Sequence, residues 1–244
     1  MLEGSRVVVV VPAFNEEMHV ARVVETMPAF VDAMVVVDDG SSDRTGAVTL
    51  ETGDERVHLE QHARRRGVGA ALTTGYLVGL RLTRSPTDAL CVMAGDGQMD
   101  PGDLERVARP IVRGEADYVK GNRFGDPRAR QSMGLPRWIG GQVFTRLTSV
   151  AIGQRISDSQ CGFTALARGA ATRLDVAGLW PSFGYPNDLL GQVKARRLRV
   201  MEVPVRPLYG NETSKLRLHH LPPIFYLIGR AAVRRGTGRR HPSG

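Results

Sequence analysis

The run Cys91-Val92-Met93-Ala94-Gly95-Asp96-Gly97-Gln98-Met99-Asp100-Pro101 changes character abruptly. An apolar stretch stops at Gly95 and gives way to a carboxylate, a glycine, an amide and a second carboxylate. Ala89 to Met93 reads as a strand, Asp100 as a helix cap and Pro101 as a first helical residue, where a missing N–H costs nothing. In an open α/β sheet, short loops beyond the carboxyl ends of strands aim side chains into a crevice. Asp96 and Gln98 lie two apart at such an end, so an extended loop projects both to the same side. Both offer oxygen, the donor taken by hard divalent cations such as Mg²⁺ or Mn²⁺. A solvated turn accounts for the same residues, and the surrounding chain has to decide.

Working outward, Val7 to Val11 is a continuous β-branched run bounded by Pro12, the pattern of a strand buried on both faces. Asn15 is placed to cap the next helix, with Glu16 and Glu17 as acidic first-turn residues. Val20, Val23, Val24 and Met27 then recur at helical spacing, and Pro28 ends that helix. Met34 to Val37 is a second buried strand, stopping at Asp38-Asp39-Gly40-Ser41-Ser42-Asp43, where Ser42 or Asp43 can cap a short helix. Val57 to Leu59 is a weaker strand. Arg64-Arg65-Arg66-Gly67-Val68-Gly69 leads into a helix reaching about Leu82. Leu104, Val107, Ala108 and Ile111 give the helix after Pro101 one apolar face. Tyr118 to Lys120 is a further strand, running into Gly121-Asn122-Arg123-Phe124.

Strands alternating with helices imply an α/β chain with a mainly parallel, mixed central sheet covered on both faces. The strand ends near Phe14, Asp39 and Asp96 then open on one edge. The second half is less regular: a mixed helix up to Ile152, loops at 158–163 and 180–188, a helix from about Asp188 to Arg196, and a strand from Arg199 to Val203. We expect a single domain over 1–218, with halves 1–125 and 126–218. A helix over 219–235 and a disordered basic tail over 236–244 follow.

The chain has 244 residues, 42% of them hydrophobic and 24% charged, enough for a full core in a soluble globular protein. A formal charge of +8 favours an acidic partner: a phosphorylated substrate, an anionic membrane surface or nucleic acid. The basic residues are dispersed except at Arg64–Arg66 and the tail, with no nucleic-acid-binding motif, so no specific nucleic acid is expected. Two cysteines, Cys91 and Cys161, make neither a disulfide framework nor a zinc spacing, and Cys91 reads as a buried small hydrophobe. No secretory signal is evident, and no apolar run approaches the roughly 20 residues a spanning helix needs. The expectation is a cytoplasmic protein, with peripheral contact on the inner face of the membrane.

Taken in order, these segments resemble family 2 glycosyltransferases with the GT-A fold, particularly the branch of dolichol- and polyprenyl-phosphate sugar synthases. The likeness rests on Val9 to Glu17, Val35 to Thr45, Gly67-Val68-Gly69, Gly95 to Pro101 and Gly121 to Phe124. Asp158-Ser159-Gln160-Cys161-Gly162-Phe163 and Ser214-Lys215-Leu216 extend it to about residue 217. The resemblance implies an inverting enzyme that moves a sugar from a nucleoside-diphosphate sugar, UDP- or GDP-linked, to a polyprenyl phosphate. Pro12, Phe14 and Glu16 match the loop that contacts the nucleoside, Asp39 the acid that reads base or ribose, and Gly67 a turn before a helix that can face the diphosphate. Phe14 as a core plug is the alternative.

Asp96 and Gln98 match the later positions of the family's D-x-D-x-Q metal motif. The first acid falls on Ala94, which leaves more of a Mg²⁺ or Mn²⁺ shell to phosphate oxygens and water. Arg123 and Lys215 match positions that meet the diphosphate or an acceptor phosphate, while Arg206 and Arg217 rest on nearness in sequence. Asp188 matches a general-base carboxylate at a helix start, with helix capping as the alternative. Asp158 matches a segment lining the acceptor side, in a catalytic or structural role. The segment Leu221 to Arg235, apolar and then basic, either lies in a membrane interface or packs on the core.

Two other functions compete. A transferase acting on a hydroxyl of a small metabolite would use Asp188 as base. A nucleotidyltransferase would carry a Gly-rich basic loop straight after the first strand, where Pro12-Ala13-Phe14-Asn15 stands instead.

Overall fold

The valines of Val7–Val11 are covered on both sides, the setting in which β-branched side chains pack best. The computed structural model describes residues 1–125, 133, 135–208 and 221–238. In it β1 (Val7–Ala13) lies between β2 (Ala33–Asp38) and β4 (Ala89–Val92), parallel to both, and β3 (Val57–Gln61) pairs in parallel outside β2. Beyond β4 come β6 (Thr164–Ala167), β5 (Tyr118–Asn122) and β7 (Val200–Pro204), giving the order β3-β2-β1-β4-β6-β5-β7. β6 runs antiparallel to β4 and β5, while β5 and β7 are parallel. The sheet is mixed, as expected, and it joins the two halves of the chain. Every residue of β1 and β2 is buried. Burying each of these valines contributes roughly 1.5–3 kcal/mol.

The helices are α1 (Val20–Glu25), α2 (Thr45–Glu51), α3 (Val68–Leu82), α4 (Leu104–Val112), α5 (Leu135–Ile152), α6 (Arg168–Ala171), α7 (Tyr185–Ala195) and α8 (Leu221–Gly238). Gly75 brings α3 hard onto β1: a Cβ there would lie 2.1 Å from Val10 Cγ1. The cap at Asp100 is made, its Oδ1 accepting from Gly102 N–H at 2.9 Å, and a single 3₁₀ turn at Pro101–Asp103 feeds α4. Neither Ser42 nor Asp43 takes the capping position of α2, which falls on Arg44; Asp43 instead accepts from Thr45 N–H in a local turn just ahead of the helix.

Asn15 does not cap α1. It sits at φ +54° before a turn, and its Oδ1 accepts from Ser42 N–H, tying the β1 loop to the β2 loop. Glu16 and Glu17 likewise precede α1 instead of forming its first turn. α8 packs on α7 and α5, burying Ile224, Leu227, Ile228 and Ala231, so the packing alternative for this segment is met on one of its faces. No helix among the described residues is long and apolar enough to cross a membrane. The last six residues of the expected tail, 239–244, lie outside the described residues.

Candidate active site

Three parallel strand ends are laced together at one edge of the sheet. Asp39 N–H donates to Ala13 O at 2.8 Å, and Gly95 N–H donates to Pro12 O at 3.0 Å. The loops they carry line one cavity of about 820 Å³, which Pro12, Phe14, Glu16, Asp39, Gly67, Asp96, Gln98 and Arg123 all reach. The second half of the chain adds Met133, Gly140, Gly141, Phe144 and Phe183 to its lining, together with Gln160 and Ser182. A side chamber of about 240 Å³ shares Asp96, Gln98 and Arg123 with it and extends to Arg206.

Phe14 stands in the cavity wall outside the core cluster, and the Arg65 guanidinium lies 4.1 Å from its ring centroid. Arg65 escaped notice in the sequence, where the only signal was its place in a basic run just before Gly67. Asp39 is buried and accepts from His62 Nδ1 at 2.7 Å, Arg66 N–H at 2.9 Å and Gly67 N–H at 2.7 Å. It therefore pins the loop ahead of α3. Gly67 holds φ +100°, and a Cβ on Gly69 would lie 1.9 Å from Trp180 O. The glycines thus admit the Trp180–Ser182 backbone, and Ala70 N–H donates to Pro181 O at 3.0 Å. The start of α3 is closed on that side by protein, while Gly67 and Val68 line the cavity.

Asp96 and Gln98 do reach the same cavity, through a turn with Gly97 at φ +71° and not through an extended loop. Gln98 N–H donates to Asp96 Oδ1 at 3.1 Å. No group of three His, Cys, Asp or Glu side chains suited to a metal occurs among the described residues. The donor set, one carboxylate and one amide oxygen, fits a hard cation whose remaining ligands are phosphate oxygens and water.

Arg123 is held from below. Its Nε and Nη2 donate to the two oxygens of Asp158 at 2.7 and 2.9 Å, and its backbone N–H adds a contact at 3.1 Å. Asp158 is fully buried and also accepts from the amides of Gln160 and Cys161. Burial pushes its carboxyl up, but the adjacent guanidinium and these hydrogen bonds outweigh that and hold it below the usual carboxylate range. Beneath them Lys120 is wholly buried, donating to Cys161 O at 2.6 Å; burial draws its ammonium below the ordinary lysine range. Asp158 lines neither cavity, and its carboxylate braces Arg123.

Asp188 is likewise engaged by neighbouring protein groups. It is buried in the first turn of α7, accepts from Trp180 N–H at 3.1 Å, stands 3.7 Å from Arg230 of α8, and lines neither cavity. Arg206 pairs with Asp100 at 2.5 Å on the rim of the side chamber. Lys215 and Arg217 lie outside the described residues. Cys91 is buried in β4, and burial pushes its thiol up to about 12.

A strand-end cleft on a mixed sheet of this kind is the GT-A glycosyltransferase architecture. The chain superposes on mannosyl-3-phosphoglycerate synthase from Rubrobacter xylanophilus with a TM-score of 0.68 at 17% identity, covering 99% of this chain and 77% of that one. With glucosyl-3-phosphoglycerate synthase from Mycobacterium tuberculosis, solved with Mn²⁺, UDP and phosphoglyceric acid, the TM-score is 0.66 at 19% identity, over 99% and 81% of the two chains. The protein belongs to glycosyl transferase family 2, whose model matches residues 8–174, and it is a glycosyltransferase.

In sequence it is 27% identical over 215 residues to UDP-N-acetylglucosamine–dolichyl-phosphate N-acetylglucosaminyltransferase of Methanococcus voltae, spanning 82% of this chain and 84% of the relative. It is 29% identical over 210 residues to polyprenol monophosphomannose synthase of Mycolicibacterium smegmatis, spanning 82% and 77%. An uncharacterised glycosyltransferase of Mycobacterium tuberculosis is 32% identical over 215 residues, spanning 87% and 89%.

Proposed function

We propose that this chain is an inverting hexosyltransferase that carries a sugar from a UDP- or GDP-sugar to the phosphate of a polyprenyl or dolichyl phosphate. The division of the cavity carries the reading. Its acids, Glu16, Asp39 and Asp96, stand at the sheet edge with Pro12 and Phe14, while Met133, Gly140, Gly141, Phe144 and Phe183 supply apolar lining from the second half of the chain, beside Gln160 and Ser182. The first side suits a nucleoside diphosphate and the second a prenyl chain. The M. voltae and M. smegmatis relatives, named for dolichyl and polyprenol phosphates, support the same class of acceptor.

Breaking the anomeric C–O bond builds positive charge on the sugar and negative charge on the departing diphosphate. Arg123, locked by Asp158, offers that negative charge a guanidinium already in place, so little reorganisation is needed during reaction. Phe14, with Arg65 on its face, provides a stacking surface for the base. Asp96 and Gln98 would hold the divalent cation, which when bound neutralises further charge on the diphosphate. A lipid phosphate attacks as an anion and needs no general base. This agrees with Asp158 and Asp188 being engaged by Arg123 and by Trp180.

The test is transfer from a panel of UDP- and GDP-sugars with Mg²⁺ or Mn²⁺, with and without a short polyprenyl phosphate, for wild type and Asp188→Asn. We expect lipid-dependent product, retained within about tenfold in the variant, where loss of a general base would cost about 10²–10⁴-fold. Product only on a small hydroxyl acceptor, with that larger loss, would return Asp188 to the role of base. No binding of any nucleotide-sugar would end the reading.

A further inference from the structure

The cleft divides at the Asp96 turn. Asp96, Gln98, Arg123 and Gln160 border both the main cavity and the side chamber, whereas Phe14 and Asp39 reach only the first and Tyr185 and Arg206 only the second. A nucleoside-diphosphate sugar has the same order, with its diphosphate between the base and the sugar. A diphosphate on Arg123 and on a cation at Asp96 and Gln98, with the base on Phe14, leaves the sugar to extend into the side chamber. At about 240 Å³ that chamber is below the usual range for a whole small-molecule ligand and suits one ring of it.

Two uncharged groups in the chamber are set to meet hydroxyls. Tyr185 opens α7 and is half-buried, and its hydroxyl makes no hydrogen bond among the described residues. Its Oη lies over the 158–163 loop, since a Cβ on Gly162 would stand 3.1 Å from it. A neutral phenol there offers both a donor and an acceptor. Gln160 stands on that loop with Nε2 donating to Ser159 Oγ at 3.0 Å, which leaves its carbonyl oxygen to accept. The loop is anchored by Lys120 Nζ on Cys161 O at 2.6 Å, by Asp158 on the amides of Gln160 and Cys161, and by Glu202 on the amide of Ser157 at 2.8 Å. Met99, Phe163 and Val205 add apolar lining. The two guanidinium groups of the chamber are already paired, Arg206 with Asp100 and Arg123 with Asp158.

We infer that the side chamber takes the transferred sugar as an uncharged hexosyl group, and that Tyr185 and Gln160 set its specificity by pairing with the sugar's hydroxyls. The inference rests on the donor half of the proposed function and not on the lipid acceptor. A site built to hydrogen-bond a hydroxyl discriminates against sugars that lack it. A carboxylate on the sugar would meet guanidinium groups committed to other acids, so an acidic sugar is disfavoured.

The experiment is calorimetric titration of wild type, Tyr185→Phe and Gln160→Leu in Mn²⁺. The ligands are UDP and GDP, then UDP-glucose, UDP-N-acetylglucosamine, GDP-mannose and UDP-glucuronic acid. Tyr185→Phe keeps the ring and removes a hydroxyl with no partner among the described residues, so it should fold as wild type does. Each variant is expected to bind the bare nucleoside diphosphate within about twofold of wild type, and the preferred uncharged sugar donor about three- to tenfold more weakly. Unchanged affinity for that donor in Tyr185→Phe would overturn the inference, as would an equal weakening toward the bare diphosphate. Wild type that prefers the glucuronosyl donor would overturn it too. A raised KM for polyprenyl phosphate in Tyr185→Phe, with donor binding intact, would give the chamber to the acceptor instead. Wild type that binds no nucleotide-sugar ends the proposed function and this inference together. The expected binding pattern without transfer to lipid phosphate removes the acceptor reading and supports this one.

Discussion

A carboxylate near a sugar-transfer site serves either as a base or as a brace, and burial separates the two. Asp158 makes a bidentate pair with Arg123 while fully buried, so removing its charge breaks the ion pair of a guanidinium with 15% exposure. Asp158→Asn should therefore cost about 3–5 kcal/mol, read by chemical denaturation, together with weaker nucleotide-sugar binding as Arg123 loses its place. The pH dependence has a definite sign. The folded carboxyl titrates below its unfolded value of about 4, so its contribution is complete above that value and disappears as pH falls through the folded one. Wild type should lose stability across that acid window, and the variant should show a flatter profile there. Ala94 makes the opposite kind of test. It lines the cavity beside Asp96, and Ala94→Asp would add a second anionic donor. Mn²⁺ affinity without nucleotide, measured by calorimetry, should tighten by about tenfold or more; an unchanged affinity would mean that the cation does not sit at this turn.

At the scale of elements, the approach of the Trp180–Ser182 backbone to the start of α3 sets one wall of the cavity through Ser182 and Phe183. Gly69→Ala places a methyl where Trp180 O now lies, and neither partner is a flexible side chain. Destabilisation of about 1–3 kcal/mol is expected, along with a raised Kd for the nucleotide-sugar, followed by titration of the purified variant. β1, β2 and β4 were legible in the sequence because continuous apolar runs ending at Pro12, Asp38 and Gly95 leave little other choice. β6 was not. Thr164-Ala165-Leu166-Ala167 has one β-branched residue in four, and it is a strand because β4 and β5 hold it from either side. The strand-end acids and the Gly-x-Gly turn were legible as a cluster, and the cavity brings them together. The partners of Asp158 and Asp188 were not, because spacing along the chain does not reveal which way a carboxylate points or what engages it.

For the whole molecule, α8 closes the structure from its far end. Its inner face buries Ile224, Leu227, Ile228 and Ala231, and Leu227 Cδ1 would lie 2.8 Å from a Cβ on Gly184. Ending the chain at residue 220 removes several burials worth roughly 1.5–3 kcal/mol each and leaves Asp188 without Arg230. A thermal midpoint lowered by many degrees is expected, with binding of a hydrophobic dye to the uncovered faces of α5 and α7. The strand order has a further consequence, in time rather than in space. β4 at residues 89–92 gains its second neighbour only from residues 164–167, and β5 joins the sheet only through β6 and β7. During synthesis, the parallel half β3-β2-β1-β4 can assemble while the open edge of β4, Ala89 to Val92, still lacks a partner. At ribosomal speeds of about 5–20 residues per second, that apolar edge stands unpaired for seconds before β6 emerges to cover it. An unpaired apolar edge is a template for pairing with other chains, so the nascent first half, more than the finished enzyme, is where this protein is exposed to aggregation.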